Sequence, residues 1–450
     1  ATSLLGILVF SVIAFAEWPP VVWVAIAAVL SLWFFHRLLA AACLLATVAL
    51  VAWGAPATHW SPYYRIDFAP LFIQGPGDTG TGVQVGYTLD VNRDFHQRAL
   101  NMSEAFRRQH PVISSHPMYR HADLVYNLPF RLAPAAERVL VVGAGTGNDV
   151  AAALRNGARM VDAVEIDPTI LALGRRFHPE APYAADRVRL FNNDARAFFR
   201  QTDARYDLII FGFLDSHTMF SSMSSLRLDN YVYTVESLRE AVGRLTPRGV
   251  LALSFTTDAG EWIALRLYHT VEEAWGQEPV AVHNGRDSGV TFVAGPGLDR
   301  EVSSRLEGIF PWRPRFAGVE PVRSATDDWP FLYLNPRGRP VAYFLVLGLI
   351  LGVSWLLIRG TFRRRESGFD WHMFFLGAAF MLVEVKSIAE LSLLFGSTWL
   401  VNSAVFSGIL LMILGANAVV ARRAEVKAAG TYAWLGASLL VPYLVGLGWL

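Results

Sequence analysis

The chain has 450 residues, of which 53% are apolar and only 17% are charged, a composition that is unusual for a soluble protein and typical of one with membrane segments. The formal net charge of +1 shows no basic excess, so we expect no nucleic-acid partner. The single cysteine, Cys43, lies in an apolar run and excludes an intrachain disulfide and a thiolate metal cluster.

The first 55 residues consist mainly of three apolar runs, at about 3–16, 21–35 and 38–55, and predict a group of N-terminal transmembrane helices over 1–55. The first two runs are short, since a spanning helix needs about 20 residues, and Trp18 and Trp33 are expected to extend them into the membrane interface. A signal peptide is the alternative for the first run, but no small-residue cleavage site follows it.

Between residues 56 and 340, short β-type runs alternate with helical ones, as in a globular domain. Residues 56–130 predict a small β-rich N-terminal part, with strand-like stretches at 64–68 and 83–89 around a glycine-rich turn at 75–82. Residues 131–340 predict a Rossmann-like α/β domain with a mostly parallel sheet and ligands at the carboxyl ends of the strands. The predicted strands are 139–142, 160–165, 188–192, 207–213, 250–255, 280–283 and 290–294.

Four further apolar runs, at about 341–358, 371–395, 399–420 and 431–450, predict C-terminal transmembrane helices over 341–450. The chain is therefore expected to be a multi-pass membrane protein with one soluble domain between two helix groups, and the lipid bilayer is its first expected partner.

Three strand ends in the α/β part carry residues suited to a nucleoside. The first strand runs into a loop with three glycines at 143–149 and then a helix, so backbone N–H groups can approach a ligand. Glu165 ends the next strand about 20 residues later, where an acid can accept both ribose hydroxyls. Asp194 follows the third strand and, with the next backbone N–H, can read an adenine edge. The predicted nucleoside-binding residues are Gly143, Gly145, Thr146, Gly147, Glu165, Asp194 and Ala195.

Two alternatives to this interpretation stay open. Asp194 is also a good N-cap for a helix over 195–200, and the loop then belongs to a Rossmann-like core with no ligand. An NAD site is the second alternative, but its G-x-G-x-x-G fingerprint would require a glycine where this chain has Asn148.

Residues 56–340 resemble the spermidine synthase-like branch of the class I S-adenosylmethionine-dependent transferases, in its membrane-fused form. The resemblance rests on the β-rich N-terminal part and on the sequences at 126–130, 164–167, 193–195 and 206–210; membrane-fused members of the branch also carry stretches like 327–333 and 375–384. It implies a class I transferase fold and S-adenosylmethionine or its decarboxylated form as co-substrate. It places Glu165 on the ribose, Asp194 on the adenine and the 143–149 loop around the sulfonium and its tail.

The chain departs from spermidine synthases at two acids. Their glycine loop carries an Asp, implicated in holding the aminopropyl amine, where Thr146 stands, and Gly212 replaces the Asp that would deprotonate the attacking amine. In spermidine synthases that Asp begins an Asp-Ser-Ser-Asp stretch after the fourth strand, and only its second acid has a match here, Asp215. Asp149 and Asp215 are candidate substitutes from shifted positions. His217 is a further catalytic candidate because an imidazole titrates near neutrality, with a solvent-facing loop histidine as its alternative.

Two functions from different classes follow from these residues. The first is a membrane-anchored transferase that moves an alkyl group to a small-molecule or lipid-borne acceptor, and the missing acids argue against ordinary putrescine aminopropylation. The second is a catalytically lapsed domain that acts as a structural subunit alongside other membrane protein subunits. No spacing of His, Asp or Glu predicts a metal site.

Charges beside the C-terminal runs predict the orientation in a bacterial-type inner membrane. Basic residues cluster at 359–365 and 422–427, which lie on one side if each run spans, and the positive-inside rule makes that side cytoplasmic. The soluble domain is then extracytoplasmic. This conflicts with a cofactor that is made in the cytoplasm, so the side is left open.

Three charged residues, Glu384, Lys386 and Glu390, interrupt the apolar run at 371–395. Charges inside a membrane are costly and are expected to pair. Lys386 and Glu390 are four residues apart and share a helix face. We favour a structural ion pair, with a proton or polar-substrate pathway as the alternative.

Overall fold

The computed structural model describes residues 2–33, 38–53, 58–74, 82–133, 136–214, 231–257, 260–283, 289–299, 301, 310–313, 322–335, 341–363, 370–422 and 428–444. The chain begins with three apolar helices, α1 Thr2–Phe15, α2 Pro20–Leu32 and α3 Leu38–Trp53. Pro20 is the first residue of α2, where its fixed φ and missing N–H favour a helix start.

A four-stranded antiparallel sheet follows, with the strands in chain order. The strands are β1 Thr58–Trp60, β2 Arg65–Ile73, β3 Val83–Val91 and β4 Asp94–Leu100. Both strand-like stretches of the sequence therefore lie in strands, while the turn at 75–81 lies outside the described residues. The β-rich interpretation is too broad after residue 100, because the chain continues as three helices, α4 Glu104–Gln109, α5 Pro111–Ser114 and α6 Pro117–Leu132.

The second sheet has eight strands in the order β12-β10-β11-β9-β8-β5-β6-β7. Its strands are β5 Arg138–Val142, β6 Met160–Glu165, β7 Val188–Asn192, β8 Tyr206–Phe211, β9 Leu245–Phe255, β10 Val280–His283, β11 Val290–Ala294 and β12 Phe310–Pro311. From β9 to β7 neighbouring strands are parallel, while β10, β11 and β12 add an antiparallel edge. The strand order reverses between β5 and β8, where a ligand crevice is expected in such sheets.

Helices cover both faces of the second sheet. They are α7 Asn148–Arg155, α8 Pro168–Phe177, α9 Ala195–Gln201, α10 Val235–Val242 and α11 Glu261–Trp275. Along β5, Val139 and Val141 pack into one apolar cluster and Leu140 and Val142 into the other, so the strand is buried on both sides. Burial on both faces explains why this strand reads as a continuous apolar run in the sequence.

Four helices end the chain, α12 Val341–Arg363, α13 Trp371–Phe395, α14 Trp399–Ala421 and α15 Ala428–Leu444. By length and apolar composition, one helix of the described part, α14, can cross a membrane, while α1, α2, α3 and the apolar portion of α12 are shorter. Multi-pass insertion therefore stays a prediction. The expected ion pair in α13 forms, with Lys386 Nζ 3.4 Å from Glu390 Oε1.

Candidate nucleoside-binding site

The glycine loop between β5 and α7 bends through three residues with positive φ. Gly143, Gly145 and Gly147 have φ of 67°, 55° and 112°, a region that favours glycine. A Cβ on Gly143 would lie 1.5 Å from Leu214 Cδ2, so a side chain at this position would require Leu214 to move. The Tyr183 hydroxyl donates to the Gly145 carbonyl at 2.7 Å and fixes the loop from outside.

Glu165 lies at the end of β6 beside this loop, as the sequence predicts. Its Oε2 accepts from the Gly145 N–H at 2.8 Å, and its Oε1 accepts from the Asp167 N–H at 2.9 Å. The side chain is buried, and burial, opposed by these backbone hydrogen bonds, raises its pKa to about 7. A buried carboxylate at this strand end has the chemistry needed to accept hydrogen bonds from a ribose.

Gln97, on β4 of the first sheet, contacts the 143–149 loop. Its Oε1 accepts from the Thr146 backbone N–H at 3.1 Å and from the Thr146 hydroxyl at 3.0 Å. The same oxygen lies 2.6 Å from where a Gly145 Cβ would be. The side chain at position 146, where spermidine synthases have an acid, is therefore buried and engaged by an amide.

Asp149, in the first turn of α7, lies opposite the end of β8. Its Oδ2 is 3.0 Å from the position of a Cβ on Gly212, the residue that replaces the expected acid. Burial raises the pKa of Asp149 to about 7, despite the opposing effect of Arg155. A carboxylate thus reaches the β8 strand end from α7 although position 212 itself has no side chain.

Asp194 caps α9 and also contacts the C-terminal helices. Its Oδ1 accepts from the N–H groups of Arg196 at 2.9 Å and Ala197 at 3.1 Å, so the capping alternative is correct as a description of the structure. Its Oδ2 accepts from the N–H of Ser397 at 3.2 Å. Burial raises the pKa of Asp194.

Two turns between apolar helices reach this same edge of the second sheet. In the α1–α2 turn, Glu17 Oε1 accepts from the Thr169 hydroxyl at 2.6 Å, at the start of α8. The turn between α13 and α14 contacts Asp194 at the start of α9. Both helix groups therefore contact the carboxyl end of the parallel strands, and Ser397 was not predicted as a site residue.

The stretch at 327–333 contacts α9 and the elements around it. Asp327 makes two 2.6 Å hydrogen bonds to the Arg196 guanidinium and accepts from the Thr234 hydroxyl at 2.9 Å. Arg266 lies between the rings of Trp262 and Trp329 and donates to backbone carbonyls of 331–334. These contacts give the stretch a structural role next to Asp194.

The sequence-predicted residues meet in part. The loop 143–149, Glu165 and Asp194 lie along one edge of the second sheet. The loop follows β5, where the strand order reverses beside β8, and the two acids lie at the ends of the next two strands, β6 and β7. Asp215 and His217 lie outside the described residues, so their catalytic roles stay predictions. Gln97 and Ser397 carry no sequence signal, because each reaches the site from another element far along the chain.

Comparisons with known proteins bear on the fold and the class of this chain. Residues 118–243 match the spermine/spermidine synthase domain family. Polyamine aminopropyltransferase of Streptococcus uberis is 32% identical over 109 residues, which cover 22% of this chain and 38% of that protein. Putrescine N-methyltransferase 2 of Nicotiana attenuata is 31% identical over 96 residues, covering 20% and 26%. The matched segments thus span well under half of these relatives.

Solved structures of similar proteins include a spermidine synthase in complex with the transition state analogue AdoDATO, 15% identical, covering 65% of this chain and 86% of that one with a TM-score of 0.39. A probable spermidine synthase from Corynebacterium glutamicum is 16% identical, with coverages of 64% and 99% and a TM-score of 0.40. The domain match and the sheet order support a spermidine synthase-like fold of the S-adenosylmethionine class.

Proposed function

We propose that this chain is a membrane-anchored, spermidine synthase-like transferase that binds S-adenosylmethionine or its decarboxylated form and transfers an alkyl group to an acceptor. The domain match over 118–243 supports the transferase class. The observation that carries the proposal is the position of Asp149, a carboxylate with a pKa near 7 beside the β8 strand end.

The residues of the site fit a nucleoside with a sulfonium. Glu165 is a buried acid at the position for ribose hydroxyls, and Asp194 is a buried acid at the position for an adenine amino group. The positive φ values of Gly143, Gly145 and Gly147 give the loop the tight bend expected of a backbone that wraps around a ligand tail. When bound, the co-substrate supplies an electrophilic carbon attached to a positively charged sulfur.

Asp149 is suited to take the acceptor's proton. In the transfer, the lone pair of the acceptor forms the new bond to carbon, the carbon–sulfur bond breaks with its electrons going to sulfur, and the acceptor's proton passes to the Asp149 carboxylate. A general base works best when its pKa lies near the operating pH, and burial gives Asp149 that value.

The helices support anchoring in a bilayer. Large apolar side chains on them face outward, among them Leu357, 75% exposed, and Trp434, 79% exposed. Exposed apolar surface of this extent needs an apolar surrounding. Because the turns at Glu17 and Ser397 contact the ligand edge of the sheet, the proposed site lies near the helices, and this proximity favours a lipid-borne or membrane-proximal acceptor.

Replacement of Asp149 by Asn tests the proposal. We expect Asp149→Asn to bind methylthioadenosine with unchanged affinity but to lose about 100-fold or more in the rate of transfer to acceptors in membrane extracts, followed with labelled S-adenosylmethionine and its decarboxylated form. Asp186→Asn, which changes an exposed carboxyl before β7, is the control and should keep both properties.

The result also separates the two functions. Nucleoside binding by the wild type without transfer from either form would contradict the transferase and favour the lapsed structural subunit, to which the absent acids at positions 146 and 212 also point. Failure of the wild type to bind any nucleoside would overturn the nucleoside site itself.

A further inference from the structure

The turn between α13 and α14, residues 396–398, lies directly against Asp194. Gly396 is buried at the end of α13 with a φ of 91°, and its N–H donates to the Ser392 carbonyl at 3.0 Å. A Cβ at Gly396 would lie 2.5 Å from Asp194 Cβ. The Asp194 side chain therefore occupies the space that a side chain at position 396 would need, and only glycine lets the turn pack this closely against it.

The turn and α9 hold the Asp194 carboxylate from two sides. Oδ1 accepts from the first N–H groups of α9, and Oδ2 accepts from the Ser397 N–H at 3.2 Å. Because the donors bind different oxygens, they fix the rotation of the carboxylate plane. With the helix cap alone, Oδ2 would have no backbone donor from the turn, and the rotation would be less restricted. The position of Asp194 therefore depends on a segment about 200 residues later in the chain.

Three further contacts fix the turn itself. The Trp399 N–H donates to the Tyr63 hydroxyl at 3.3 Å, and the Trp399 ring packs edge-on against Phe10 at 5.3 Å. The Arg200 guanidinium donates to the Leu393 carbonyl. The turn is thus anchored to α9, to α1 and to the segment before β2.

We propose that the 396–398 turn is a positioning element of the nucleoside site, which orients Asp194 toward the amino group of adenine and so sets the selectivity for the base. The inference rests on the proposed nucleoside site. A carboxylate oxygen accepts a hydrogen bond from the adenine amino group, whereas hypoxanthine presents a carbonyl oxygen at the same place and is repelled. Selectivity between these bases therefore reports the orientation of Asp194.

The test compares the dissociation constants of methylthioadenosine and methylthioinosine in detergent-solubilised full chain. We expect the wild type to favour adenine by about tenfold or more, since a buried polar group left unpaired is costly. Ser397→Pro removes the N–H, and Gly396→Val displaces the turn; each should bring the ratio below about threefold. Ser397→Ala keeps the N–H and should keep the ratio. Gly408→Ala, in open space on α14, controls for helix changes.

A measurement on the unmodified protein accompanies the variants, in case either fails to fold. Hydrogen exchange of peptides over 393–400 should slow at least severalfold when methylthioadenosine binds. If the wild type binds adenine selectively while Ser397→Pro keeps the same ratio, or if exchange over 393–400 is unchanged by the nucleoside, the inference is overturned and the proposed function stands. If the wild type binds neither nucleoside, both are overturned.

Discussion

Burial of Glu165 makes ribose recognition sensitive to pH. The pKa of this carboxyl is raised from 4.5 to about 7. Only the ionised form has both oxygens available as acceptors for the two ribose hydroxyls, because the protonated form carries a hydrogen on one of them. With such a pKa about one tenth of the molecules are ionised at pH 6 and about nine tenths at pH 8. Affinity for methylthioadenosine should therefore rise about tenfold between these pH values.

Calorimetric titrations at several pH values measure this effect. Glu165→Ala should weaken binding by more than about tenfold at pH 8, because the ribose loses two charge-assisted hydrogen bonds, and should flatten the pH profile. A profile of the same steepness in Glu165→Ala would assign the titration to another group.

The acceptor prediction depends on positions 146 and 212. Thr146 is buried and donates to Gln97, and Gly212 offers no carboxyl, so the two acids expected to hold and deprotonate putrescine are absent from these positions. Incubation with putrescine and decarboxylated S-adenosylmethionine should give little or no spermidine by mass spectrometry. Abundant spermidine would show that Asp149 serves a polyamine acceptor.

The local part of the site could be predicted from the sequence. Glu165 ends β6 and Asp194 lies two residues after the end of β7, so chain order alone places them at one sheet edge. Gln97 and Ser397 could not be predicted, since their roles arise from packing of distant elements. The sequence offers Asp149 only as one of two candidate substitutes for the acid missing at position 212, because the distance between α7 and β8 depends on the fold.

At the scale of elements, α9 is held by a buried ion pair. Arg196 is 3% exposed and Asp327 is 21% exposed, and removal of one partner of such a pair costs about 3 kcal/mol. Asp327→Ala should therefore lower the thermal unfolding midpoint by about 6 °C or more in detergent. The adjacent Asp328 is exposed, so Asp328→Ala is a matched control with little effect.

Differential scanning fluorimetry measures both variants. Equal midpoints for Asp327→Ala and Asp328→Ala would show that the stretch at 327–333 does not stabilise α9. The sequence indicates this stretch by resemblance only and assigns it no chemistry. The structure shows that Asp327 of the stretch binds Arg196, which lies in α9 two residues after its N-cap, Asp194.

For the whole molecule, the orientation in a membrane stays a prediction. The 396–398 turn contacts the soluble domain, and α13 and α14 extend about 35 Å from it at 1.5 Å per residue. Their other ends adjoin the basic stretches at 364–369 and 423–427, which lie outside the described residues. Both basic clusters are therefore expected on the membrane side opposite the domain.

A topology reporter tests the orientation. Alkaline phosphatase, which is active only outside the cytoplasm, should be active when inserted in the 75–82 segment and inactive when fused near Arg364, because positive charges are retained on the cytoplasmic side. The reversed pattern would contradict the charge argument and place the site beside the cytoplasmic cofactor pool, which favours the transferase over the structural subunit.

The late position of the 396–398 turn has a consequence for biosynthesis. Domains generally fold in the order in which the ribosome releases them, so β7 and α9 are complete while the partner of Asp194 Oδ2 is still untranslated. A nascent chain halted before α13 has Asp194 held by its cap alone. Under the proposed role of the turn, we therefore expect base selectivity to be acquired only after α13 and α14 have been synthesised, so that an incomplete chain lacks the selectivity of the finished protein.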